Sequence, residues 1–307
     1  MTPGQSVVLG TRGSKLALTQ AESCARRLRD AGLDVEVRAI KTTSEQRPET
    51  PFSVIDQRDV FTRQLDEALL AAEIDLAVHS LKDVPTTLRE GISLAAISER
   101  HDPSDALISE ERYDLDTLPE GAVVATSSLR RRAQVLNRRP DVSIVEIRGN
   151  VDTRVRKLRE GAADALILAR AGLDRIGLDA PHTVIPTEVM LPAVGQGALA
   201  VAALPDHPLY GHIREHLNDE ITERATTAER ALLRTLEGGC RVPVGALGAV
   251  RGDGVYLRGL VASIDGALVY RGEAEGEDPD EVGERLARDL LEQGAAVVLG
   301  EVREVRS

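Results

Sequence analysis

Residues 121–177, "GAVVATSSLRRRAQVLNRRPDVSIVEIRGNVDTRVRKLREGAADALILARAGLDRIG", decide the fold class. Three short apolar runs, 122–125, 142–147 and 163–169, each lead into a polar segment whose apolar residues recur every three or four positions. The short runs read as buried strands and the segments after them as helices. Strand and helix in strict alternation imply parallel pairing through helical crossovers, an α/β domain.

The pattern extends toward the N-terminus. "QSVVLGT" (5–11) reads as a strand and "SKLALTQAESCARRLRDAG" (14–32) as a helix stopped by Gly32; "DVEVRAI" (34–40) is a second strand. Residues 60–72 read as helical, and "IDLAVHS" (74–80) as a strand running into "LKDVP". Toward the C-terminus the character changes. A helix over about 219–236 precedes "VYLRGLVASIDGALVYRGEAEG" (255–276), two strands turned by Asp265-Gly266. A helix over 278–294 and a short strand, "AVVLGEV" (296–302), are expected to finish a small α+β domain.

The chain has 307 residues and a net charge of −12, which disfavours a nucleic-acid or anionic-membrane surface. Of its 38 basic residues four are lysines, Lys15, Lys41, Lys82 and Lys157. No secretory signal precedes the first strand, and no apolar run approaches the roughly 18 residues of a membrane span. A cytoplasmic protein is expected. The two cysteines, Cys24 and Cys240, offer no disulfide framework. Cys24 shares an apolar helical stripe with Ala17, Ala21 and Leu28 and reads as a core thiol. Cys240 stands alone in "LRTLEGGCRVPVG" (233–245), after a glycine pair.

In parallel α/β sheets ligands bind beyond the carboxyl ends of strands, where helix N-termini present free amides to anions. Four polar clusters fall at such ends: Thr11, Arg12 and Ser14; His79, Ser80, Lys82 and Asp83; Thr126, Ser127, Ser128 and Arg130; Arg148, Gly149 and Asn150. Each alone has a plain explanation. "TSS" is an ordinary helix cap, and of three adjacent arginines in "LRRRAQ" at least one faces solvent, because neighbours on a helix point about 100° apart. Their joint placement points to a polyanionic ligand. No Walker loop, no GxGxxG, no GxSxG elbow, no HExxH and no histidine pair near a cysteine with zinc-like spacing is present, so nucleotide, triad and metal chemistry find no support in these motifs. Asp83, inside a cationic cleft, is suited to hold N–H donors or to stabilise developing positive charge.

"HSLKDVP", "ATSSLRRRAQ", "IRGNVDTR", "LPAVGQGAL" and "LEGGCRVPVG" resemble, in order and spacing, the signatures of the porphobilinogen deaminases. The resemblance implies two α/β domains of the type II periplasmic-binding-protein kind around a cleft, with a small C-terminal α+β domain. Their expected bounds are 1–98 with 196–216, then 103–192, then 219–307. It implies an enzyme that joins four porphobilinogen molecules head to tail with loss of ammonia and releases linear hydroxymethylbilane. It further implies a dipyrromethane cofactor on Cys240 through a thioether, and Asp83 as the catalytic group. Arg12, Ser14, Lys82, Arg130, Arg131, Arg148 and Arg154 would meet cofactor and substrate; Thr126, Ser127, Ser128, Gly149 and Asn150 would supply further donors, and Arg175 would reach the site. Arg132 is expected to face solvent. The family's glycine- and lysine-rich lid loop corresponds to "DQRDVF" (56–61), where Phe61 is kept and Arg58 replaces a lysine. A monomer is expected. A polyanion-binding protein without catalysis, or an acyl transferase using Cys240, are the alternatives; no histidine within twenty residues supports the second.

Overall fold

Val7 and Leu9 are fully buried while Ser6 is exposed, the alternation that makes β1 (Ser6–Arg12) a strand with one face on a core. The computed structural model describes residues 6–40, 62–236 and 243–304. It divides into two compact units, residues 1–101 with 198–223, and residues 102–197 with 224–307.

In the first unit β1 leads to α1 (Lys15–Asp30), which buries Ala17, Ala21, Cys24 and Leu28, so Cys24 is the core thiol the stripe predicts. β2 (Asp34–Ile40), α2 (Arg63–Leu70), β3 (Leu76–Ser80) and β4 (Ser93–Ile97) follow. The chain then supplies the second unit with β5 (Asp105–Ile108), β6 (Val123–Ala125), α3 (Leu129–Arg138), β7 (Ser143–Val145), α4 (Val151–Arg159), β8 (Ala165–Ala169), α5 (Arg170–Ile176) and β9 (His182–Ile185). β10 (Leu199–Ala203) and α6 (Tyr210–Leu217) return to the first unit, and α7 (Glu220–Thr235) begins there. The remaining elements, β11 (Val244–Arg251), β12 (Gly254–Ala262), β13 (Val269–Gly276), α8 (Pro279–Leu290) and α9 (Ala296–Glu304), belong to the second.

The first unit's sheet has the order β2-β1-β3-β10-β4, the second's β7-β6-β8-β5-β9. β1 pairs in parallel with β2 and β3, and β6 with β7 and β8, as the alternation predicts. β10 runs antiparallel to β3 and β4, and β5 antiparallel to β8 and β9. Both sheets are therefore mixed: β5 and β10 are reached without a preceding helical crossover, so the rule for parallel neighbours does not bind them. Each sheet has apolar clusters on both faces, Leu9, Leu28, Leu76 and Val201 against Leu65, Leu69 and Ala77 in the first, and Leu107, Val124 and Ile167 against Ile108, Leu166 and Leu173 in the second.

β11, β12 and β13 form a separate antiparallel sheet covered by α7 and α8. The strand expected over 296–302 is instead the helix α9. Ala295, just before it, and its own Val298 and Leu299 are buried and spaced by three and four, and Val297 is exposed, which fits a helical stripe and not a strand.

Candidate functional site

In the first unit the ends of β1 and β3 lie side by side, with Gly10 paired to Ala77. Thr11 is buried, its Oγ1 donating to Ala17 O at 3.1 Å, and Ser14 caps α1 by accepting from Ala17 N at 3.3 Å. No acidic residue occupies that helix's first turn, which leaves its positive end uncancelled. Beyond β3 the chain makes one 3-10 turn, Leu81–Asp83. Leu81 N donates to Ala198 O at 3.0 Å and Val84 N to Leu81 O at 3.1 Å, and both apolar side chains are buried. The turn thus holds Lys82 and Asp83 half-buried between two fixed anchors. Asp83 makes no hydrogen bond or ion pair among the described residues.

His79, one residue before Ser80, is buried, and burial together with the charge of Arg12 pulls its pKa down to about 4. It is therefore a neutral imidazole at physiological pH. Ser80 and Gln20 exchange side-chain hydrogen bonds at 3.0 and 3.3 Å, tying the end of β3 to α1.

In the second unit Thr126 N donates to Val145 O at 2.9 Å and Thr126 Oγ1 accepts from Ser128 N at 3.2 Å. Ser127 Oγ donates to Ile147 O at 2.5 Å, and Ser128 caps α3 through Arg131 N at 3.4 Å. These hydroxyls shape the ends of β6 and β7. Asn150 stands at the N-cap of α4 with no side-chain cap bond. Around it Arg154 Nε donates to Gly149 O at 2.7 Å, Lys157 Nζ donates to Arg148 O at 3.2 Å, and Arg148 Nη2 lies 3.4 Å from Glu146 Oε2. Arg175 Nη2 donates to Gly197 O at 2.6 Å.

Arg130 and Arg131, expected against ligand carboxylates, are 4% and 7% exposed and converge on one buried carboxylate. Arg130 Nη1 meets Asp105 Oδ2 at 2.8 Å and Leu191 O at 2.7 Å. Arg131 places Nε and Nη2 on Asp105 Oδ1 at 3.1 and 2.8 Å, and its Nη1 on Ile167 O at 3.0 Å. Gln196 Nε2 adds a bond to the same Oδ1 at 2.9 Å. Burial alone would raise the Asp105 pKa; the two guanidinium charges and the bonds from Arg130 and Gln196 reverse this and hold it far below the usual carboxylate range. Two guanidinium charges against one carboxylate leave this buried group with one positive charge in excess, and Arg130 Nε is shielded from solvent with no hydrogen-bond partner among the described residues. Such a group at the N-terminal turn of α3 fits a bound polycarboxylate, the chemistry of a dipyrromethane's acidic side chains. Arg132 is half-buried, where solvent exposure was expected; the hydrogen bonds from Ser263 and the Ala267 amide hold the pKa of Asp265 down, and the charge of Arg132 adds a little to this.

Asp105 and Gln196 are the residues that sequence reading missed, as is Glu229. That glutamate is fully buried, accepting from Gly195 N at 2.7 Å and Gly248 N at 2.8 Å, and so fixes the "GQG" segment that presents Gln196. An aspartate opening the apolar run "DALI" and a glutamate inside a helical apolar stripe were the available signals. Arg58, Phe61 and Cys240 lie outside the described residues.

Two family models match the chain: "Porphobilinogen deaminase, dipyromethane cofactor binding domain" over residues 7–209, and "Porphobilinogen deaminase, C-terminal domain" over residues 224–292. A porphobilinogen deaminase of Rubrobacter xylanophilus is 67% identical over 300 residues, 98% of each chain. One of Syntrophomonas wolfei is 44% identical over 301 residues, covering 96% of this chain and 98% of that one. Among solved structures the methionine binding protein MetQ is similar at 16% identity and a TM-score of 0.44, over 76% of this chain and 96% of that one, a likeness that carries no argument about ligand or activity.

Proposed function

The chain belongs to the porphobilinogen deaminase family and carries its dipyrromethane cofactor-binding domain, and from that premise we propose how its residues divide the work. The reaction is the head-to-tail joining of four porphobilinogen molecules, with ammonia lost at each step and linear hydroxymethylbilane released by hydrolysis, a transferase reaction of tetrapyrrole synthesis. The cofactor, held by a thioether to Cys240, supplies the primer to which units are added.

The observation that carries the assignment is Asp83: a half-buried carboxylate without a partner among the described residues, on a turn pinned at both ends, directly after Lys82. A carboxylate so placed accepts pyrrole N–H bonds and stabilises the positive charge that develops as ammonia leaves. Because the turn is fixed, little reorganisation is required when that charge appears. Lys82, Arg12, Arg148, Arg154 and Arg175 take the acetate and propionate groups of substrate and cofactor, with Ser14 and Asn150 at helix N-termini. Arg130 and Arg131 act from the first turn of α3 as the net positive charge left over by Asp105. Thr126, Ser127, Ser128 and Gly149 contribute mainly backbone amides and the shape of the strand ends. Arg58 and Phe61 belong to the segment assigned as a lid. The protein works as a monomer in the cytoplasm; no helix among the described residues is long and apolar enough to cross a membrane.

Intact mass spectrometry of the active protein tests the reading. The protein should be heavier than its sequence by one dipyrromethane, with the added mass mapping to Cys240. Full activity from protein with an unmodified Cys240 would overturn it.

A further inference from the structure

α6 carries "HIREH", residues 212–216, which has no part in the proposed chemistry. Side chains four apart on a helix stack on one face, and here the rings of His212 and His216 meet edge to face with centroids 4.3 Å apart. His212, Glu215 and His216 each offer one ligand atom, and these atoms lie within 4.8 Å of one another. Donors around a tetrahedral zinc ion with bonds of about 2.0–2.1 Å stand roughly 3.4 Å apart, so the set closes through side-chain torsions. The sequence search for HExxH passes over this order of ligands; what matters for binding is two imidazoles at i and i+4.

The surroundings favour a cation there. Ile213 and Leu217, each next to one of the histidines, are 0% and 1% exposed and fix the helix against its core. Nε2 of His212 is shielded from solvent and has no hydrogen-bond partner among the described residues. The cation nearest in sequence is neutralised: Arg214 puts Nη1 and Nη2 on Glu223 at 3.0 and 2.6 Å. Glu215 Oε2 stands 4.0 Å from His216 Nε2.

We infer that His212, Glu215 and His216 form a binding site for a borderline divalent cation, zinc above all. Calcium and magnesium require mainly oxygen donors, whereas two imidazoles and a carboxylate suit zinc and leave coordination positions for water. The bound ion clamps the last two turns of α6 and stabilises the folded state by mass action.

Calorimetric titration of the untagged, full-length holoprotein with zinc chloride tests this. One equivalent should bind, and the His212→Gln/His216→Gln double variant should bind at least about tenfold more weakly. The thermal midpoint should rise with zinc in the parent protein alone. Absence of zinc binding to the parent, or equal affinity in the double variant, overturns the site. If the variant fails to fold, carbethoxylation of the parent protein decides. Zinc should protect His212 and His216 and leave His101 and His182 reactive; protection that does not distinguish them overturns the site too.

Discussion

Arg131 holds Asp105 by two nitrogens on a single oxygen, Nε at 3.1 Å and Nη2 at 2.8 Å from Oδ1, in a site from which solvent is nearly excluded. With Arg130 on the other oxygen, the carboxylate joins strand β5 to the first turns of helix α3. The residue that sequence analysis passed over is thus the one on which the positions of two expected ligand residues depend.

Asp105→Asn removes the charge and leaves two buried guanidinium groups facing a neutral amide. A destabilisation of about 3–5 kcal/mol is expected. Chemical denaturation checks the magnitude, and the fraction of protein carrying the cofactor, read by intact mass, should fall with it. Because the folded-state pKa of Asp105 is depressed, its contribution is complete above the unfolded carboxylate's pKa of about 3.9 and is lost only as pH falls below that.

His79 shapes a different pH window. Unfolded, the imidazole takes up a proton near pH 6.5; folded, it does so only at about 4. The folded state therefore binds fewer protons in between, and stability declines as pH falls from 6.5 toward 4, by up to about 3 kcal/mol. In His79→Gln the stability curve should be flatter across this range by that amount. An unchanged slope would show that His79 is not held neutral.

Asp83→Asn keeps the shape of the side chain and removes the charge. Turnover should drop by about 10²–10³-fold or more, with the dipyrromethane mass still present and the thermal midpoint little changed, since Asp83 has no partner among the described residues. Loss of cofactor mass in this variant would instead assign Asp83 to cofactor assembly.

Gly266 has φ +73°, and a Cβ there would stand 2.5 Å from Asn137 N and 2.6 Å from Ala133 O. Backbone atoms cannot yield as a flexible side chain does. Gly266→Ala should cost about 2–3 kcal/mol, measured by denaturation, with the Asn137 Nδ2 bond to Gly266 O weakened as the loop lifts from α3.

The zinc site adds a contrast to these four. His212 and His216 were visible in the sequence as residues, and only the helical register of α6 makes them a pair.

Local sequence determined much of this protein. The alternation over 121–177 announces β6, α3, β7, α4, β8 and α5 because each element carries its own period, and Ser128 adds a cap to α3. Asp83 and Cys240 are proposed from motif resemblance, since contiguous residues suffice to carry it. What the sequence left undecided depends on distant partners. β11 went unread because its glycines blur the pattern; Gly248 is required where a Cβ would meet Ala225 O at 2.5 Å, a constraint set by the helix packed against it. The antiparallel placement of β5 and β10 depends on where the chain re-enters each sheet, which no local period encodes. The Asp105 group joins residues 105, 130, 131 and 196, and its excess charge is concentrated at one buried place only once folding brings all four together.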